Sequence, residues 1–167
     1  MAEEFSDYLD IIPLSRIVSD VRRCIAENIS VAGLALALTI PDIMGEECYP
    51  SMKYEDGSRK SRSQYIRWYN AYVAEKFGKK DSWFDGEMCY ALRCDLLHSG
   101  RADIEYHHYD DLPMQYEYEF QLVDDGQQFH EEVPHPDKPG VTLCRVHLNA
   151  DMLAADICDA ADRCMRE

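Results

Sequence analysis

The chain has 167 residues and a formal net charge of −15 at pH 7, from 17 Lys and Arg against 32 Asp and Glu. This length is typical of one domain, or of one core with an appendage, so no second independent domain is required. The acidic balance argues against a protein that coats nucleic acid without specificity, because phosphate binding draws on clustered Lys and Arg.

The charge is unevenly distributed along the chain. Between Lys53 and Lys80, eight basic residues stand against three acidic ones, a local net of 8 − 3 = +5 that leaves −20 for the remainder. From Ala102 to Asp137 there are eleven carboxylates and no Lys or Arg. This asymmetry would either guide an RNA phosphate chain or draw the basic region of one copy to the acidic region of another.

The cysteines and the apolar runs indicate a cytoplasmic protein without a membrane segment. Seven cysteines are an odd number, and none forms a Cys-x-x-Cys pair, so they are expected to be reduced thiols, mostly buried. The acidic N-terminus, Met1 to Asp7, lacks the basic and apolar regions of a secretory signal. The longest apolar run, Val31 to Ile40, is too short to cross a bilayer.

The first hundred residues are predicted to form three helices. Apolar residues at steps of three and four predict one long helix from Leu14 to about Thr39, ending before Pro41. A polar loop should follow from Glu46 to Ser63, and then a second helix to Phe77. Ser82 or Asp85 can cap a third helix that ends at Gly100, with a buried stripe of Met88, Cys89, Leu92, Leu96 and Leu97.

Beyond Gly100 the pattern predicts a small antiparallel sheet and a final helix. Alternating side chains from Tyr116 to Leu122 are typical of a strand with one wet face, and Asp125-Gly126 is a tight-turn signal that leads to a weaker strand, 127–133. A third strand should run from Val141 to Leu148. Asn149 can cap a helix whose inward residues would be Met152, Leu153, Ile157, Ala160 and Cys164.

Arg93 and His98 are the first candidates for chemistry, because they place a positive charge and a titratable ring five residues apart at a helix end. Five residues advance an ideal helix by about 500°, so the two side chains lie about 140° apart. They can converge only if His98 lies in a frayed last turn or if a second subunit contributes. Alternatively, Arg93 pairs with Asp95, Asp85 or Glu87, and His98 caps the last carbonyls of the helix.

This motif and the helices around it carry a family resemblance. Leu38 to Gly45, Tyr65 to Tyr69 and Tyr90 to Gly100 form a series that resembles the HEPN superfamily (higher eukaryotes and prokaryotes nucleotide-binding), in particular a bacterial branch with an added C-terminal segment. The resemblance covers roughly residues 10–105. Family members carry Arg, four to six residues, then His; the residue after the arginine is usually polar, whereas here it is Cys94, with Asp95 one place later.

The resemblance implies a homodimer in which the two motifs line one cleft and cut RNA without a metal. Arg93 would bind phosphate, and His98 would act as general acid and base. Substrate-binding candidates are Lys60, Arg62, Arg67 and Asp95. Tyr65, Trp68 and Tyr69 either stack on bases or belong to the core or a dimer interface.

Metal and cofactor chemistry find no support in the sequence. His107, His108, His130, His135 and His147, with nearby Asp and Glu, match no zinc spacing, and a solvated acidic surface is expected there instead. Cys94 has no His or Asn partner by spacing, so a buried thiol is expected rather than a nucleophile. No Gly-rich phosphate loop, serine nucleophile elbow or dinucleotide fingerprint occurs. We therefore expect no metal and no cofactor.

Taken together, the sequence predicts an α+β protein: a HEPN-like helical part over residues 1–102, and a sheet with a helix over 103–167, packed as one unit. The expected function is a metal-independent endoribonuclease of the toxin or RNA-defence type, with RNA and a protein such as an antitoxin as partners. The alternative is a non-catalytic scaffold module that binds a nucleotide or a protein.

Overall fold

A computed structural model describes residues 12–74, 84–99, 116–123 and 128–166. Within these ranges the chain forms six helices and a three-stranded sheet. The elements in chain order are α1 Leu14–Ala26, α2 Ser30–Ala37, α3 Ile40–Cys48, α4 Ser61–Tyr72, α5 Gly86–Ser99, β1 Tyr116–Val123, β2 Phe129–Pro134, β3 Thr142–Asn149 and α6 Ala150–Cys164. The predicted α+β class is confirmed; the likeness of the helical part to HEPN stays a prediction.

The prediction of one long helix from Leu14 to Thr39 is wrong, because the chain turns at Asn28. Asn28 has φ 57°, and the N–H of Ile29 donates to the carbonyl of Cys24 at 2.8 Å. This is the left-handed cap that ends many helices, and Asn tolerates it better than most residues. α1 and α2 are therefore separate helices that pack on each other, and Gly33 of α2 would bring a Cβ within 3.0 Å of the Cys24 side chain.

Pro41 follows the end of α2 at Ala37, as predicted, but it also lies at the start of a further helix that the sequence did not predict. Pro41 lies in the first turn of α3, where its missing N–H is not needed. α3 then runs to Cys48, so the loop predicted from Glu46 begins only at Tyr49. α4 begins at Ser61 and ends at Tyr72; the predicted end of this helix at Phe77 lies outside the described residues.

Two glycines allow α3, α4 and α5 to pack at short distance. A Cβ on Gly45 of α3 would lie 2.8 Å from the backbone carbonyl of Gln64 in α4. A Cβ on Gly86, the first residue of α5, would lie 2.6 Å from the carbonyl oxygen of Ile66. Such distances are too short for any side chain, so both positions require glycine for close backbone approach.

Two predicted helix caps are confirmed. Asp85 Oδ1 accepts a hydrogen bond from the N–H of Met88 at 3.0 Å, and Asn149 Oδ1 accepts one from Met152 at 2.9 Å. Each carboxylate or amide oxygen satisfies a donor that the first turn leaves without a partner. Met152 itself is 42% exposed, so its predicted inward position is wrong, whereas Leu153 and Ile157 are fully buried as expected.

The sheet is mixed rather than antiparallel, and its strand order is β1-β3-β2. β1 pairs with β3 in parallel, from Tyr116 opposite Thr142 to Val123 opposite Asn149, and β2 pairs with β3 antiparallel. The predicted hairpin between β1 and β2 is therefore wrong. β3 takes the centre because it carries buried side chains on both faces, including Leu143 on one and Val146 on the other.

One hydrophobic core joins the helices to the sheet. Phe120 of β1, Val146 of β3 and Ile157 of α6 belong to the same buried cluster as side chains from α1 to α5. Its largest fully buried side chains include Tyr65, Trp68, Tyr69 and Phe84. None of the helices within the described ranges is long and apolar enough to span a membrane.

Candidate functional site

α5 presents both residues of the predicted motif. The helix is regular from Gly86 to Ser99, so His98 lies in its last turn and not beyond it. The Arg93 side chain is 22% exposed, and His98 is exposed. Because five helical positions separate them by about 140°, the two side chains of one copy project from different sides of α5. A single copy therefore does not bring them together.

Arg93 forms an ion pair with Asp42, which sequence reasoning did not single out. The Nη2 atom of Arg93 lies 3.2 Å from Oδ2 of Asp42, in the first turn of α3. Of the predicted alternatives, Asp85 caps α5 from the position before it, and Glu87 binds Arg62 at 2.7 Å. The sequence signal for Asp42 is the Pro41-Asp42 pair, because proline followed by an acidic residue is typical of the first turn of a helix.

Asp42 is also the centre of a wider polar cluster, which we call the Asp42 network: Asp42, Glu46, Arg59, Gln64 and Arg93. Arg59 lies 3.3 Å from the Asp42 carboxylate and 3.2 Å from that of Glu46, and it also donates to Gln64 Oε1 and to the carbonyl of Asp42. Gln64 is 1% exposed and donates to the carbonyl of Tyr49 at 2.7 Å. Two guanidinium and two carboxylate groups make the network electrically neutral, and it joins α3, α4 and α5.

The surroundings of the Arg93 guanidinium keep it charged. Burial disfavours the charged form, but the contacts with Cys94 and Asp42 outweigh this effect, so the pKa of Arg93 lies above its ordinary value. The guanidinium also lies 6.0 Å from the centre of the Tyr90 ring. Its Nε atom is buried and finds no acceptor among the residues that the structure describes.

Two of the predicted substrate-binding cations lie on tyrosines of the 49–60 loop. Lys60 Nζ lies 5.2 Å above the Tyr54 ring, and the Arg67 guanidinium lies 4.5 Å above the Tyr49 ring. Since Arg67 is exposed and Lys60 half-exposed, this loop surface carries positive charge beside the Asp42 network. Arg62 is bound to Glu87, Asp95 is half-buried on α5, and the basic residues 76, 79 and 80 lie outside the described ranges.

The aromatic residues proposed as stacking faces are core residues. Tyr65, Trp68 and Tyr69 are 0% exposed, and Trp68 stacks on Tyr72 with ring centres 5.6 Å apart. Base stacking by these three is therefore ruled out by burial. Tyr54, at 56% exposure, is the aromatic side chain that the loop presents to solvent, and sequence reasoning missed it.

Apart from His98 on α5, the described histidines lie on the sheet or directly beside it. His135 pairs with Glu117 at 3.0 Å, while His147 lies 3.4 Å from Glu131 and stacks on Phe129 with ring centres 4.1 Å apart. His130 is exposed, and residues 107 and 108 lie outside the described ranges. Over the described part of the chain, no three His, Cys, Asp or Glu side chains are grouped to hold a metal ion.

Three glutamates lie on the sheet face that is turned away from the core: Glu117, Glu119 and Glu131. Arg145 of β3 lies 3.0 Å from Glu119 and 3.7 Å from Glu131, so one cation bridges carboxylates of both flanking strands. Glu117 similarly accepts from Lys138 at 2.5 Å. The acidic segment is thus partly neutralised inside its own sheet.

The chain matches no protein-family model, no curated protein and no solved structure.

Proposed function

We propose that this protein is a metal-independent endoribonuclease in which Arg93 of one copy and His98 of another act on the same phosphodiester. The observation that carries the proposal is that α5 presents a fixed, charged guanidinium and an exposed imidazole on different sides of one regular helix. A two-fold dimer that packs one α5 near another would bring each arginine towards the partner's histidine.

The chemistry follows from the two side-chain types. A guanidinium pairs with phosphate oxygens and stabilises the negative charge that develops at phosphorus. An imidazole takes the proton of the 2′-hydroxyl or gives one to the leaving oxygen. The route requires the 2′-hydroxyl, so RNA should be cut and DNA should not. Lys60 and Arg67 support RNA binding through the positive surface of the 49–60 loop.

The direct test is cleavage of single-stranded RNA by the purified full chain in the presence of a metal chelator. Wild type should fragment the RNA, and His98→Ala and Arg93→Ala should each be inactive. His130→Ala, which removes an exposed histidine from β2, is the matched control and should cut as wild type does. A chelator-resistant activity that persists in both His98→Ala and Arg93→Ala would refute the proposal.

Mixing the two inactive variants tests the shared site itself. In a mixed dimer, the subunit that keeps Arg93 faces the subunit that keeps His98, so one of the two composite sites is intact. Half of the dimers are mixed after exchange, and recovery of about one quarter of wild-type activity is expected for a two-fold assembly. If each site used Arg93 and His98 of the same copy, mixing would restore nothing.

The Asp42 network favours a second candidate, a non-catalytic module that binds a nucleotide or a protein. In this case Arg93 serves to hold α5 against α3. Wild type would then leave RNA intact. Arg93→Ala should unfold at a lower urea concentration under either candidate, because it loses the contact with Asp42, so RNA cleavage by wild type decides between them. Salt dependence separates the two candidates further: if the loop surface binds RNA, Lys60→Ala and Arg67→Ala should each lower the slope of log affinity against log salt by about one.

A further inference from the structure

Two cysteines far apart in the sequence meet at the ends of their helices. Cys48 is the last residue of α3 and Cys164 the last residue of α6. Their Sγ atoms lie 3.4 Å apart although 116 positions separate them in the chain. Both are partly exposed, whereas Cys89, Cys144 and Cys158 are buried. A disulfide requires about 2.05 Å between sulfurs, so the two need to approach by only about 1.4 Å.

Contacts on either side hold the end of α6 in this position. The Arg163 guanidinium donates to the backbone carbonyl of Tyr72 at 2.8 Å, at the last residue of α4. The Cys164 thiol beside Tyr72 raises the pKa of Tyr72 to about 12. On the side of α1, Arg22 binds Asp159 at 3.1 Å and Asp162 at 2.7 Å. These contacts of α6 with α1 and α4 therefore hold the Cys164 thiol close to the Cys48 thiol.

We propose that Cys48 and Cys164 form a reversible disulfide by exchange with a small-molecule disulfide such as oxidised glutathione. One protein thiolate attacks a sulfur of the small disulfide, forming a mixed disulfide and releasing one small thiol. The second protein thiolate then attacks the protein sulfur of the mixed disulfide and releases the other small thiol. Two protein thiols are oxidised to one disulfide, and one small disulfide is reduced to two thiols. This modification joins α6 covalently to α3 and is independent of the proposed nuclease activity.

The experiment uses the full chain, reduced and then freed of reductant. It is incubated with oxidised and reduced glutathione in a series of ratios, quenched with acid and denatured. The number of free thiols should fall by two, and the intact mass should fall by that of two hydrogen atoms, with no glutathione retained. Peptide mapping should find Cys48 joined to Cys164. Retention of all thiols at the most oxidising ratio, stable glutathione adducts, or a different pair would overturn the proposal.

Variants and stability give an independent readout. Cys48→Ser and Cys164→Ser should each lose the two-thiol change, whereas Cys24→Ser, which replaces another half-buried cysteine, should keep it. Oxidation of wild type should raise the midpoint of thermal unfolding by roughly 10 °C, because the crosslink closes a long loop in the unfolded chain. The Cys164→Ser protein should show no such rise. An equal rise in that variant would contradict the assignment, and the mapping of wild type does not depend on any variant folding.

Discussion

Burial, rather than distance, should decide which ion pair of α5 matters for stability. The Arg93–Asp42 pair is the longer one, at 3.2 Å, with side chains 22% and 25% exposed. The Arg62–Glu87 pair is shorter, at 2.7 Å, but 45% and 36% exposed. We expect double-mutant cycles with alanine to give the larger coupling energy for the longer pair.

The expected coupling energies of the two ion pairs follow from the dielectric constant around each pair. At an effective dielectric constant of about 20, two charges 3.2 Å apart attract by about 5 kcal/mol, whereas in water at 2.7 Å they attract by only about 1.5 kcal/mol. Desolvation and lost side-chain freedom offset most of both values. The expected coupling energies are therefore about 1.5 kcal/mol for Arg93 with Asp42 and about 0.3 kcal/mol for Arg62 with Glu87.

The assay is urea unfolding followed by circular dichroism for wild type, the four single variants and the two double variants. Asp42 also contacts Arg59, so the single Asp42→Ala variant should lose more stability than the coupling energy alone. Raised salt should weaken the Arg62–Glu87 coupling more than the Arg93–Asp42 coupling, since exposed pairs are screened. The reasoning is refuted if the exposed pair shows the larger coupling, or if the Arg93–Asp42 coupling is below about 0.5 kcal/mol.

Three further predictions concern the fold. Gly86→Ala should lower the free energy of unfolding by about 2–3 kcal/mol, because its Cβ would lie 2.6 Å from the carbonyl oxygen of Ile66; thermal unfolding checks this, and an unchanged midpoint would contradict it. Asn149→Ala should lower the free energy of unfolding by about 1 kcal/mol, because it removes the oxygen that accepts from the N–H of Met152. Asn149→Asp keeps such an oxygen and should retain stability in urea unfolding. Burial raises the pKa of Cys89 from 9.0 to about 12, so the folded protein keeps a proton that the unfolded chain releases. Its contribution to stability should be constant below about pH 9 and fall above it by up to about 1.4 kcal/mol per pH unit, and urea midpoints for Cys89→Ala should decline less steeply than for wild type.

Helix caps and the first strand could be predicted from the sequence because they depend on neighbouring residues. The residues and strands that pair across the fold could not. Asp85 and Asn149 were identified as caps because a cap depends on residues within one turn. The first strand was placed correctly by its alternation, from Tyr116 onwards. Asn28, in contrast, was missed because the apolar period continues across the break: α1 and α2 both bury a face against the same core, and periodicity alone does not report a change of direction.

The strand order and the partner of Arg93 could not be predicted from the sequence for a related reason. Asp125-Gly126 signals a reversal of the chain, but such a signal does not say whether another strand inserts between the two that it joins. The partner of Arg93 is 51 positions away on α3, and no spacing rule connects them. The candidate residues Arg93 and His98 were found by residue type and helix position, while the network that fixes Arg93 depended on how α3, α4 and α5 pack.

The central place of β3 sets an order of events during synthesis. β1 and β2 both leave the ribosome before β3, and in the described sheet each of them pairs only with β3. A nascent chain that has reached Gly140 therefore carries two strands with no ladder between them. Until Thr142–Asn149 emerges, Phe120 and the other apolar side chains of β1 lack the neighbouring strand that completes their packing, so β1 and β2 join the folded core only after β3 has appeared.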